Sequence, residues 1–375
     1  MNHQLISLFI TAMKGNGGDR VILNLAQAFA AKGFHVDLVV PEVTDYHRAV
    51  MAVLPPQIQT VDLGLPISKT IYFKKLIKLK QYLDQEQPIV LLSNGDYVGL
   101  ANFAGKLSSS PTKVIQVVHI NVSRYFGELS SFRAKLKLLF FKQFYRSSDG
   151  IVAVSRGVAK DVAELIGLPL EKIKTIHNPV VTSDLIDKAR EAIEHPWFKI
   201  GESPVILGAG RLQSQKDFAT LIRAFAKVRK QRPARLIIIG GEPDQQQELK
   251  MLIHELELEQ DAQLFGFAEN PYAYMARAAV FALSSKYEGF GNVLVEAMAT
   301  GTAVVSTDCE SGPAEILENG KYGKLVPVAD PDALAAAMIE TLDSPIDPKV
   351  LQERAQAFTT EKIAQEYINF INNLL

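Results

Sequence analysis

Short apolar runs rich in Val, Ile and Leu recur along this chain, and helical periods fill the intervals between them. That alternation leaves few folds open. Gln4–Ile10 reads as a buried strand, and Asp19–Ala31 as a helix closed by Gly33. Further runs with β-branched residues follow at His35–Val40, Ile89–Leu92, Val114–His119 and Gly150–Val154. Strands that are apolar throughout, rather than at every second residue, belong in a parallel sheet covered on both faces.

The pattern then starts again. His177-Asn178-Pro179-Val180 is a turn signal, Asp184–Glu194 reads as an exposed, charged linker helix, and His195-Pro196 stops it. A second series of strands is expected at Val205–Ala209, Arg235–Ile239, Ala262–Phe265, Val280–Leu283, Ala303–Ser306 and Lys324–Val326. Helices fall between them, among them Asp217–Gln231, Asp244–Leu256 and Asn292–Thr300. At 375 residues the chain exceeds one ordinary core. The reading is therefore an α/β protein of two Rossmann-like, doubly wound domains. The first is expected over 1–180 and the second over 181–358, with the segment 359–375 a helix that returns to the first. Two such domains facing each other form a cleft at the carboxyl ends of their strands, where ligands of these sheets bind.

Composition narrows the class. With 47% apolar and 22% charged residues the chain is globular and buries a sizeable core. The single cysteine, Cys309, excludes an internal disulfide, fits a reducing cytosol and has no neighbours suited to zinc. No signal peptide is expected at Met1–Ile10, and nowhere do enough apolar residues run together to span a bilayer. The net charge of −1 conceals an asymmetry. Residues 1–180 carry 21 basic against 13 acidic side chains, and the remainder 19 against 28. Basic residues cluster at Lys69, Lys74, Lys75, Lys78 and Lys80, then at Arg133, Lys135, Lys137, Lys142 and Arg146, interleaved with Ile, Leu, Phe and Tyr. Such amphipathic segments serve either as solvated helix faces or as a surface that docks on anionic lipid. No recognition motif accompanies the charge, so nucleic acid is not an expected partner.

Three segments carry chemistry. Lys14-Gly15-Asn16-Gly17-Gly18-Asp19-Arg20, at the first strand–helix turn, lets backbone amides approach a phosphate at a helix N-terminus, although glycines in a tight turn also serve sterics alone. Ala209-Gly210-Arg211-Leu212, followed by Lys216 and Asp217, sits where the first strand of the second domain ends. Arg211 and Lys216 there can neutralise a diphosphate and stabilise it as it leaves. Glu288-Gly289-Phe290-Gly291-Asn292-Val293-Leu294-Val295-Glu296 follows the strand Val280–Leu283. Its two carboxylates accept from hydroxyls, and the amides of Phe290, Gly291 and Asn292 donate to oxygens, a set suited to a polyhydroxylated ligand.

In order and spacing these segments resemble the large family of retaining glycosyltransferases with the two-Rossmann-domain (GT-B) fold, family 4, over essentially the whole chain. Its E-x7-E pattern stands here as Glu288 and Glu296, its arginine–lysine pair as Arg211 and Lys216, and its N-terminal glycine loop as Gly17-Gly18. The resemblance implies a nucleotide-sugar donor. Glu296 would hold the ribose hydroxyls, Glu288 and the Phe290–Asn292 amides the donor sugar, and Arg211, Lys216, Gly17 and Gly18 the diphosphate. Gly266-Phe267 would line the base pocket, and His119 would lie near the transferred sugar. The Gly312-Pro313-Ala314-Glu315 turn resembles that of members acting on hexosamine-type sugars in surface-polysaccharide pathways. The acceptor expected is a glycan or a lipid-linked sugar, the latter at the cytoplasmic face of a membrane touched peripherally and favoured by the basic clusters. A nucleotide-sugar epimerase of the same fold, a pyridoxal-phosphate phosphorylase and a non-catalytic binder remain as alternatives. No cofactor and no essential metal are expected: Asp330-Pro331-Asp332 spells the D-x-D of metal-dependent transferases but reads as a helix cap, and His254-Glu255 lacks the second histidine of a zinc helix.

Overall fold

The computed structural model describes the chain except residues 1–3, 11–16, 67–71, 95–97, 128–131 and 242–243, and except the side chains of Tyr46, Val98 and residues 125–127 and 132–137. Lys14, Gly15, Asn16 and Lys69 thus lie outside the described residues, as do the side chains of Arg133, Lys135 and Lys137. The chain forms two compact units, residues 1–179 with 360–375, and residues 180–359.

Unit 1 holds seven parallel strands: β1 (Leu5–Ile10), β2 (His35–Val40), β3 (Ile58–Asp62), β4 (Val90–Asn94), β5 (Lys113–Val118), β6 (Gly150–Ala153) and β7 (Ile173–Thr175). Their order is β3-β2-β1-β4-β5-β6-β7, so the chain winds outward from β1 in both directions. The register between β1 and β4 pairs Ile6 with Val90 and Ile10 with Asn94. The edge strands β3 and β7 are absent from the sequence reading. In β3 Ile58 is buried but Gln59 exposed, and β7 is three residues long, so neither makes an unbroken apolar run.

Helices cover both faces of this sheet. On one, the helix Gly17–Ala31 shares a core with the last helix, Thr360–Asn372. Phe29 meets Tyr367 edge to face at 6.2 Å between centroids, and Ile363, Ala364 and Ile371 are buried beside it. On the other, Leu76, Leu79 and Leu83 of Tyr72–Glu86 and Leu100 and Ala104 of Val98–Leu107 pack on Phe9 and Leu91. Lys75, read from sequence as part of a basic face, is fully buried among them.

Unit 2 holds six parallel strands: β8 (Val205–Ala209), β9 (Arg235–Ile239), β10 (Ala262–Gly266), β11 (Val280–Leu283), β12 (Val304–Thr307) and β13 (Lys324–Val326). Their order is β10-β9-β8-β11-β12-β13. The expected linker helix is shorter, Leu185–Arg190, and it is not free: Leu185 and Ala189 are buried, Asn270 Nδ2 donates to the Lys188 carbonyl at 2.8 Å, and Arg277 donates to that of Ala189 at 3.2 Å. Asp330 caps the helix Pro331–Asp343, its Oδ1 accepting from the amides of Asp332 (3.0 Å) and Ala333 (2.9 Å). Asp332 pairs with Lys227 at 2.7 Å, so both carboxylates of the D-x-D string have structural duties.

Candidate functional site

In each sheet the strand order reverses once, between β1 and β4 in unit 1 and between β8 and β11 in unit 2. In open α/β sheets ligands bind at such a point, outside the carboxyl ends of the strands. The segment leaving β8 carries Arg211 and Lys216, and the segment leaving β11 carries Glu288. All three candidate charges thus stand at the reversal point of unit 2.

Lys216 Nζ donates to Glu288 Oε1 at 2.5 Å, with side chains only 14% and 8% exposed. Ser285 Oγ donates to the same oxygen at 2.7 Å. Backbone bonds lock the two segments together: Ser284 Oγ donates to the Lys216 carbonyl (2.7 Å), Gln215 Nε2 to that of Tyr287 (2.9 Å), and the Lys286 amide to that of Gln215 (2.8 Å). The aliphatic part of Lys216 lies across Gly210, where a Cβ would come within 3.1 Å of its Cε. Arg211 is exposed one residue on.

The polypeptide after Glu288 turns sharply into the helix Asn292–Ala299. Gly291 precedes it at φ +99° and has no side chain with which to cap it. Phe290 turns its ring into the core against Phe358, 5.4 Å between centroids, which leaves only its backbone for a ligand. Gly312, at φ +94°, backs onto this segment so closely that a Cβ there would stand 1.8 Å from the Phe290 carbonyl oxygen. This contact gives the Gly312-Pro313 turn a packing reason for its glycine. Glu296 is buried, one turn beyond Asn292 on the same helix face. Cys309 lies near Lys216 and Glu288; burial, then the Glu288 charge, push its thiol up to about 12, so it stays protonated and is no nucleophile.

Gly266 and Phe267 complete the same edge. The Gly240 amide donates to the Gly266 carbonyl and the Gly210 amide to that of Ile239, each at 2.9 Å, which ties the ends of β10, β9 and β8 together. Gly266 takes φ +86°, and the Phe267 ring is 77% exposed.

Gly17, Gly18 and His119 belong to unit 1. Gly17 and Gly18 open the helix Gly17–Ala31, and a Cβ at Gly17 would meet nothing within 4 Å among the described residues. His119 follows β5 and bonds through Nε2 to Asn94 Oδ1 at 2.8 Å. Asn94 Nδ2 donates to the Leu92 carbonyl at 3.1 Å, which directs Oδ1 at the ring. Nε2 therefore carries the hydrogen, and Nδ1 keeps its lone pair. Burial lowers the ring's pKa to about 4, so it is neutral at pH 7.

Sequence reasoning missed Ser284, Ser285 and Asn94. The available signal was a polar residue directly at the carboxyl end of a fully apolar strand, where burial demands a partner.

Two doubly wound parallel sheets make the fold of the GT-B glycosyltransferases. The chain belongs to the group 1 glycosyltransferases: residues 189–358 match the family model described as Glycosyl transferases group 1, and residues 15–184 that of Glycosyltransferase Family 4. Among curated relatives it is 28% identical, over 98% of this chain and 99% of the other, to the Campylobacter jejuni N-acetylgalactosamine-N,N'-diacetylbacillosaminyl-diphospho-undecaprenol 4-alpha-N-acetylgalactosaminyltransferase. It is also 28% identical, over 61% of this chain and 65% of the other, to the lipopolysaccharide core biosynthesis glycosyltransferase LpsE of Rhizobium meliloti. Among solved structures it resembles sucrose-phosphate synthase from Thermosynechococcus elongatus, with a TM-score of 0.80 at 22% identity over 99% of both chains. Anabaena HepE in complex with UDP and glucose gives a TM-score of 0.78 at 19% identity, over 99% of this chain and all of the other.

Proposed function

We propose that this glycosyltransferase takes a UDP-sugar, with GDP-mannose as the second donor to test, and passes the sugar with retained anomeric configuration to a lipid-linked or glycan acceptor. The pathway would be synthesis of a cell-surface glycan at the cytoplasmic face of a membrane. The observation that carries the reading is the desolvated Lys216–Glu288 pair at the β8/β11 reversal point, beside the start of the helix Asn292–Ala299. Support for UDP comes from HepE, solved with that nucleotide, and support for a lipid-linked acceptor from the Campylobacter enzyme's undecaprenol substrate.

In this reading unit 2 holds the donor and unit 1 the acceptor. Arg211 and Lys216 take the diphosphate, Glu296 the ribose hydroxyls, and Phe267 with Gly266 the base. Glu288 accepts from a sugar hydroxyl while the Phe290, Gly291 and Asn292 amides donate to sugar oxygens. Gly17 and Gly18 serve the diphosphate, and neutral His119 accepts a sugar hydroxyl at Nδ1. The bond from the anomeric carbon to the phosphate oxygen breaks as the bond to the acceptor oxygen forms on the same face. The acceptor's proton passes to the departing nucleoside diphosphate, whose growing charge Arg211 and Lys216 stabilise. No side-chain nucleophile is required.

The test incubates the protein with UDP-sugars, with and without a sugar-diphosphate-polyprenol, and reads products by mass spectrometry and the new linkage by its anomeric NMR coupling. Transfer with retained configuration is expected. Epimerised donor in the absence of acceptor identifies an epimerase, and a donor-induced thermal shift with no conversion identifies a binding protein.

A further inference from the structure

Sixteen large apolar side chains stand exposed among the described residues, and seven of them lie on three helices over one face of the unit 1 sheet. The helix Tyr72–Glu86 carries Tyr72, Phe73 and Ile77, and Val98–Leu107 carries Phe103 and Leu107. Phe132–Arg146 adds Leu139 and Phe140. Scattered exposed hydrophobes need no explanation, but a cluster does. Here they are contiguous. Phe144 meets Phe103 at 4.8 Å and stacks on Phe140 at 6.0 Å between centroids. A Cβ on Gly99 would touch both Phe144, at 2.5 Å, and the Tyr72 hydroxyl, at 3.0 Å, so all three helices converge there.

The charge around them is mostly of one sign. Over Tyr72–Glu86, Val98–Leu107 and Phe132–Arg146 the sequence holds ten Lys and Arg against two acids, Asp84 and Glu86, both at the far end of the first helix. Lys75 is buried, and Lys80 is spent on Asp84, but Lys74, Lys78 and Lys106 are exposed beside the apolar residues. On the first helix Phe73 and Ile77 form one exposed row, and Lys74 and Lys78 the row next to it.

From this juxtaposition we infer that the outer face of these three helices is a docking surface for an anionic lipid bilayer, with Phe73, Leu107, Leu139 and Phe140 entering the acyl boundary and Lys74, Lys78 and Lys106 resting on headgroup phosphates. Apolar rows flanked by lysine fit a headgroup–acyl boundary, where both chemistries are satisfied at once. A nucleic acid would use the lysines and leave the leucines in water. The inference deepens the proposal of a lipid-linked acceptor, which rests on unit 2 and on the family.

The test is flotation of the full chain with vesicles of phosphatidylcholine alone or mixed equally with phosphatidylglycerol, at low and high salt. Partitioning onto the mixed vesicles at low salt is expected to exceed that onto phosphatidylcholine at least tenfold. F73S/F140S and K74E/K78E should each weaken it about tenfold or more, with unchanged melting and unchanged hydrolysis of donor in solution. Absence of binding to the mixed vesicles at low salt, or binding that both double variants retain, overturns the inference. Equally tight binding of duplex DNA or of a soluble protein that ignores F73S/F140S also overturns it. Absence of sugar transfer by the parent chain to any acceptor would instead count against the transferase reading, which keeps the two failures apart.

Discussion

Lys216 and Glu288 share a site where neither charge is well hydrated, so removing one strands the other. Glu288→Gln keeps the shape and a carbonyl oxygen for Ser285 and Lys216, but replaces one sugar-facing acceptor by a donor. Its kcat/KM is expected to fall about 100-fold, near 2.7 kcal/mol, and the Lys216 ammonium left with a neutral partner should also lower the melting temperature. Lys216→Ala leaves Glu288 with Ser285 alone and should cost about 3 kcal/mol of stability besides transfer, read by urea unfolding. Near-parental turnover in either variant at saturating donor removes that residue from the mechanism. His119 gives a pH dependence of definite sign. Its folded pKa, about 4, lies below the ordinary 6.5, so between these values the unfolded chain binds more protons. Stability is complete above about pH 6.5 and falls on acidification toward pH 4, on the order of 1 kcal/mol per pH unit. His119→Gln should flatten that slope in unfolding titrations; an unaltered slope would show that another group causes it.

At the scale of elements, the turns that shape the donor edge depend on missing side chains. Gly312→Ala would drive a methyl into the Phe290 carbonyl at a backbone angle that disfavours any Cβ, and should cost more than about 3 kcal/mol in urea unfolding, or prevent folding. A Cβ at Gly17 meets nothing within 4 Å among the described residues, so Gly17→Ala should melt like the parent and lose donor affinity if Gly17 serves the phosphates. The sequence distinguishes these two glycines poorly, because contact with Phe290 is set by how the segments after β11 and β12 stack. The interior strands β1, β2, β4 to β6, β8, β9, β11 and β12 were legible because burial on both faces leaves mostly apolar runs, and the unit 2 edges β10 and β13 were legible from shorter ones. The edges β3 and β7 were not, since polar residues interrupt them. Leu185–Arg190 looked like a linker because its charges outnumber its two buried residues, and only the bonds from Asn270 and Arg277 show that it is packed. Lys216 and Glu288 stood out because buried charges beside apolar strands need a partner, which each finds in the other, whereas Arg211 is exposed and its role rests on the proposal. Ser285 and Asn94 escaped notice because their partners, Glu288 and His119, are chosen by tertiary structure.

For the molecule as a whole, the chain passes from one unit to the other after Pro179 and returns after Thr359. The first crossing is fixed at both sides, by Asn24 Nδ2 donating to the Pro179 carbonyl at 2.8 Å and by the Val180 and Val181 amides donating to that of Phe358 at 3.1 and 3.0 Å. Residues 360–375 thus serve the core of unit 1 although they follow unit 2 in sequence. Ile363 and Ala364 are fully buried there, with Tyr367 at 3% and Ile371 at 2% exposure. At about 2 kcal/mol for each large side chain, Ile363, Tyr367 and Ile371 contribute on the order of 6 kcal/mol, comparable with the net stability of a domain. Truncation after Thr359 should therefore lower or abolish the unfolding transition of unit 1. No core residue of unit 2 lies beyond Phe358. If unit 2 binds the donor as proposed, its transition should persist in the truncated chain and still rise with added UDP-sugar. Scanning calorimetry with and without nucleotide reads both transitions. A truncated chain that keeps the parental unit 1 transition would show that the terminal helix is dispensable, and loss of both transitions together would show that the units do not unfold separately.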